Sequence, residues 1–152
     1  MNVLRITNPL WLGTVAPLVN AYNDKVDEEF HYEALWTHFC NVVQNGGNVG
    51  GFSVVMDKAH VVAFAQYEVE PLPYHGTVSL KHIYSESEDN EAVSLLCDEI
   101  IKFGLQNRCT KIVSHSPNRK VQNHFAELLK QKHYSLEPIK RFHWIATQIK
   151  DE

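Results

Sequence analysis

Ile83–Cys109 reads IYSESEDNEAVSLLCDEIIKFGLQNRC. An apolar run enters an acidic, polar turn, and the turn opens a long amphipathic pattern. Ala92, Val93, Leu96, Ile100 and Phe103 recur at helical spacing, so a helix is expected there. The residues before the turn, Thr77 to Tyr84 (TVSLKHIY), read as a strand. Those after Cys109, Lys111 to Ser114, read as a second, short strand. Strand, helix, strand in that order predicts a crossover unit with a parallel pair. The turn is also where many folds hold a phosphate, because unpaired backbone N–H groups and the helix dipole point at it.

Working back toward the start, His60 to Glu70 and Gly51 to Met56 read as two strands joined by the tight turn Asp57-Lys58-Ala59, a hairpin. In the later strand Val62, Phe64, Gln66 and Glu68 are expected on one face, and Val61, Ala63, Ala65 and Tyr67 on the other. A helix with the stripe Tyr32, Leu35, Trp36, Phe39, Cys40 and Val43 precedes them, with Asp27-Glu28-Glu29 at its favourable acidic start. Before it, Leu10 to Tyr22 reads as a helix capped by Asn8-Pro9 and weakened by Gly13 and Pro17. Val3 to Ile6 is a short strand. Toward the end, Val121, Phe125, Leu128 and Leu129 form a helical face, and Lys140 to Thr147 reads as a final strand. The order is β-α-α-β-β-β-α-β-α-β, an α+β mixed sheet flanked by helices, in a single domain spanning 1–152.

The chain of 152 residues is 44% hydrophobic and 21% charged, which excludes disorder and leaves room for a real core. A net charge of −4 argues against nucleic acid as a partner. No stretch is long and apolar enough to span a membrane. Three cysteines, Cys40, Cys97 and Cys109, without a CxxC pair, point to a reducing, intracellular compartment such as the cytoplasm. No His or Cys spacing suits a metal, so none is expected. No Walker loop or dinucleotide fingerprint occurs. Trp11, Trp36 and Trp144 read as core anchors.

The element order resembles the GNAT superfamily of acetyl-CoA-dependent N-acetyltransferases. VVAFAQYEVE is similar to that family's central hairpin strand, and LKHIYSESEDNEAVSLLCDEIIKFG to its cofactor strand, turn and helix. KIVSHSPNRKVQNHFAELLKQKHY is similar to its next strand and helix, with His133-Tyr134 where Gly-Phe is usual. The family's turn is Gln/Arg-x-x-Gly-x-Gly/Ala. Ser87, Asn90 and Ala92 take those places, and only Ala92 matches. Glu86, Glu88, Asp89 and Glu91 crowd the position of a pyrophosphate. A like charge ~5 Å away costs roughly 3 kcal/mol at an effective dielectric of 20.

If acetyl-CoA binds, the resemblance implies that Tyr84, Ser85, Asn90, Ala92 and Asn118 hold it. The family's Tyr on the last helix falls at Phe125 or Leu129, both apolar. The available substitutes are His124, Tyr134, Tyr84 and Cys109, and the available bases are Glu68, His82 and His115. Acceptor specificity would lie in the Leu10–Val43 helix pair and the Pro71–His75 loop. Two functions follow. One is a binding or structural component, of the kind carried by bacteriophage virions, that has lost acetyl-CoA chemistry, uses no cofactor and acts through a protein partner or a homo-oligomer. The other is an active N-acetyltransferase with a divergent cofactor turn.

Overall fold

A computed structural model describes residues 1–25, 32–45, 50–70, 76–86, 90–114, 119–137 and 144–149. Strand β1 (Asn2–Arg5) leads through a 3-10 segment (Pro9–Val15) into helices α1 (Ala16–Lys25) and α2 (Tyr32–Gln44). The hairpin β2 (Gly50–Asp57) and β3 (His60–Val69) is followed by β4 (Thr77–Ser85), α3 (Asn90–Gln106) and β5 (Lys111–Ser114). Helix α4 (Arg119–Gln131), β6 (Tyr134–Glu137) and β7 (Trp144–Gln148) complete the chain. The strands form one seven-stranded sheet in the order β1-β2-β3-β4-β5-β7-β6. All neighbours are antiparallel except β4 and β5, the parallel pair that the crossover predicts.

Each face of the sheet carries its own apolar layer. On the α3 and α4 face, Ala65, Tyr67, Leu80, Ile83, Leu96, Ile100, Phe103, Phe125 and Leu129 pack together. On the α1 and α2 face, Leu18, Tyr22, Leu35, Phe39, Phe52, Phe64 and Tyr84 do so. Phe52 and Phe64 stack across the hairpin at 5.5 Å. Burying each such ring contributes ~1.5–3 kcal/mol. Arg5 crosses from β1 to α3, where Nη2 lies 3.1 Å from Glu99 and the guanidinium covers the Phe103 ring at 5.1 Å.

The structure differs from the sequence reading at several points. Leu10 to Tyr22 is not one helix. Asn8 accepts from the Leu10 N–H, a 3-10 segment follows, and the α-helix begins only at Ala16, with Pro17 in its first turn. Strict alternation fails at the start of β3, because the register shifts between Val55 and Met56. Val62 therefore packs toward α3 and Val61 toward α1, the reverse of expectation. Trp11 is not a core anchor: it is 63% exposed, beside Leu10 at 86%. An additional strand, β6, intervenes after α4; the expected final strand is described as β7 over Trp144–Gln148, and its first expected residues, 140–143, lie outside the described residues.

His133, between α4 and β6, has φ 66. That left-handed conformation is one that glycine adopts at least cost. It gives a physical reason for a Gly at this place in the resembling family.

Candidate active site

Glu68, His82 and Gln66 lie on the α1 and α2 face of the sheet. Gln66 is the cross-strand partner of His82. The β4 register shifts between those residues and the Tyr67–Leu80 pair, so Lys81 bulges from the ladder. Glu68 Oε1 is 2.6 Å from Nε2 of His38 on α2 and accepts from Gln66 Nε2 at 2.9 Å. The His38 hydrogen bond holds the Glu68 carboxyl below its usual range. Burial, with the neighbouring His38 acting in the same sense, pushes His82 down to about 4. Its Nδ1 lies 2.7 Å from the hydroxyl of Tyr22 on α1. The Tyr22 and Phe39 rings meet the imidazole edge-on at 5.6 Å each. Four elements thus converge on one polar cluster within an otherwise apolar layer.

This cluster sits beside the end of the described β4–β5 pairing. Pairing between β4 and β5 ends at Leu80 and Ser114, while β4 continues to Ser85. Beyond Leu80 the strand runs on past Ser114, the last described residue of β5, and 115–118 lie outside the described residues. Ser114 Oγ, at the end of the β4–β5 pairing, is buried without a hydrogen-bond partner, as are Gln122 Oε1 and His124 Nε2 of α4. Buried polar atoms rarely stay unsatisfied.

The other sequence candidates are distributed more widely. Tyr84 and Ser85 are buried at the end of β4, and Ala92 packs under the first turn of α3, where Asn90 and Glu91 are exposed. Lys25 Nζ lies 5.5 Å from the Tyr84 ring, and its hydrogen bond to Tyr84 raises the amine. Tyr134 is buried in the α3 and α4 layer, where burial raises its hydroxyl, and is not on the face of Glu68 and His82. Phe125 and Leu129 are fully buried core residues, as is Cys97, whose thiol burial pushes up to about 12. Cys109 is also buried. His115, Asn118, Ser87, Glu88 and Asp89 lie outside the described residues.

Sequence reading missed Tyr22 and His38. Both sit at helical positions that match the apolar or solvated stripe, and only the packing of α1 and α2 on β3 and β4 reveals their partners. A separate cavity of ≈ 780 Å³ lies between the 3-10 segment, α1 and the β2–β3 hairpin, lined by Leu4, Trp11, Leu18, Val61 and Glu86 among others. None of Glu68, His82, His124 and Tyr134 lines it. Among the described residues no group of three or more potential ligands could hold a metal ion, and no helix is long and apolar enough to cross a membrane.

No family model and no curated protein matches the chain. Solved structures do. A ribosomal-protein-alanine N-acetyltransferase from Brucella melitensis superposes with a TM-score of 0.67 at 14% identity, covering 99% of this chain and 100% of that one. A protein from Desulfovibrio desulfuricans described as a GNAT-family acetyltransferase gives 0.61 at 15% identity, covering 95% and 94%. The chain has the GNAT fold. The PaiA N-acetyltransferase of Thermoplasma acidophilum, solved in complex with coenzyme A, has the same GNAT architecture, with a TM-score of 0.64, 9% identity, and coverage of 98% and 100%.

Proposed function

We propose that the chain is an acetyl-CoA-dependent N-acetyltransferase acting on an amine that enters from the α1 and α2 side. The observation that carries this reading is the Glu68, His38, Gln66, His82 and Tyr22 cluster beside the end of the described β4–β5 pairing. Buried polar groups cost stability unless hydrogen-bonded, and clusters with shifted pKa values concentrate at functional sites. Acetyl-CoA, when bound, supplies an activated acyl thioester. The orphaned Oγ of Ser114, at the end of the described β4–β5 pairing, fits its amide-bearing arm. Asn90 and the first N–H groups of α3 fit its phosphate end. Glu68 then has a defined task. An ammonium must lose a proton before its nitrogen attacks, and an ionised carboxylate 21% exposed at Oε1's side chain can accept it. His38 and Gln66 keep that carboxylate ionised and oriented.

The acidic turn favours a second reading, a binding component without acetyl transfer that contacts a protein partner or a second copy. Exposed Glu86 and Glu91 flank the turn before α3 and oppose an anion there. Acetyl-CoA cleavage decides between the two. With a panel of amines, acetyl-dependent thiol release and an upward shift in Tm at millimolar acetyl-CoA are expected. No release and no shift would remove the enzyme reading.

A further inference from the structure

We propose that Tyr22 is a positioning residue: its hydroxyl donates to Nδ1 of His82 and fixes the neutral imidazole with its hydrogen on Nε2, so that His82 serves the site as a hydrogen-bond donor and Glu68 alone accepts the proton. The last clause rests on the acyl-transfer reading; the pinned tautomer does not.

The geometry supports one direction for this bond. The Tyr22 hydroxyl and His82 Nδ1 are 2.7 Å apart. Of two neutral partners, phenol is the stronger acid (pKa about 10) and imidazole nitrogen the stronger base, so the O–H···N arrangement is favoured over N–H···O. Neither ring can turn away. Tyr22 is fully buried on the α1 face that also buries Leu18 and Val19, and its ring meets Phe64 edge-on at 5.4 Å. Phe39 of α2 holds the other side of the imidazole.

The charged and titratable groups facing His82 come from every surrounding element. They are His38 of α2 and Lys81 of β4, which oppose its protonation, Glu68 of β3, which favours it, and Tyr22 of α1. Burial prevails, with His38 and Lys81 acting in the same sense, so the imidazole stays neutral. With Nδ1 engaged as an acceptor, the remaining hydrogen resides on Nε2. His82 then cannot act as a base through that atom, and the division of labour with Glu68 follows.

Long-range proton–nitrogen NMR on the full, ligand-free chain tests this directly. The expected wild-type spectrum has His82 with bare Nδ1 and protonated Nε2 from pH 7.5 down to 5.5. In Tyr22→Phe, both tautomers are expected, and the titration midpoint moves up toward the ordinary histidine value. Protonated Nδ1 in the wild type, or a Tyr22→Phe spectrum identical to wild type, overturns the proposal. The wild-type measurement needs no variant, so a poorly folding Tyr22→Phe does not leave it undecided. In turnover, Tyr22→Phe should lower kcat on the order of tenfold with KM for acetyl-CoA held. An unchanged kcat in a variant that has lost the tautomer overturns the donor role. If the chain proves not to transfer acetyl groups at all, the wild-type tautomer is still expected, so the two claims fail separately.

Discussion

Glu68 Oε1 and His38 Nε2 lie 2.6 Å apart and join the middle of the sheet to α2. The carboxylate has a second donor in Gln66 at 2.9 Å. Glu68→Gln keeps the shape and removes the proton acceptor. It should reduce kcat by ~10²–10⁴-fold, with Tm little changed because the site is partly solvated. Thiol release from acetyl-CoA under saturating amine is the measurement, and retention of full kcat would remove Glu68 from the mechanism.

Acid should weaken the fold in a window set by His82. Its folded pKa of about 4 is depressed from 6.5. Between those values the unfolded chain binds the proton and the folded one does not, so stability falls as pH drops from about 6.5 toward about 4 and the loss then levels off. The slope is at most ~1.4 kcal/mol per pH unit. Glu68, depressed in its turn, withdraws its contribution only below the ordinary carboxylate range. Urea unfolding at pH 7, 6 and 5 should therefore show a steady loss in the wild type and a flatter profile in His82→Gln.

The described carboxylates beside the first turn of α3 are expected to limit cofactor affinity. Replacing Glu86 and Glu91 by Gln removes two like charges from a phosphate's neighbourhood. Calorimetric titration with acetyl-CoA should show tighter binding in the double variant and a weaker dependence on salt. Equal affinity would place the limit in the backbone path of the turn.

His133→Gly should stabilise the chain. The residue has φ 66, and a side chain in that conformation costs roughly 1–2 kcal/mol. Part of the gain is returned as greater unfolded-state entropy. A net increase of up to ~1 kcal/mol in chemical denaturation is expected, without change in the slope.

The strand–helix–strand core of the fold was legible because periodicity changes abruptly there. Val78, Leu80 and Ile83 mark a buried strand, and Ala92 through Phe103 mark a helix of unmistakable period. Tyr134–Glu137 was not legible, since four residues carry too little alternation to separate a strand from an exit loop. Glu68 and His82 were candidates from residue type alone. Their shared face depends on the bulge at Lys81, a register event that alternation does not encode. Tyr22 was hidden because a tyrosine on an apolar helical stripe looks like core, and it is core, with one polar atom that finds a histidine 60 residues later in the chain.

The pairing of β4 with β5 has a further consequence for amide exchange. Thr77–Leu80 lie between two strands, β3 and β5, so their amides are shielded from both sides. Deuterium uptake should therefore be uniformly slow along this first part of β4. Uptake along Lys81–Ser85, compared with and without acetyl-CoA, then records whether a ligand reaches the far end of the same strand.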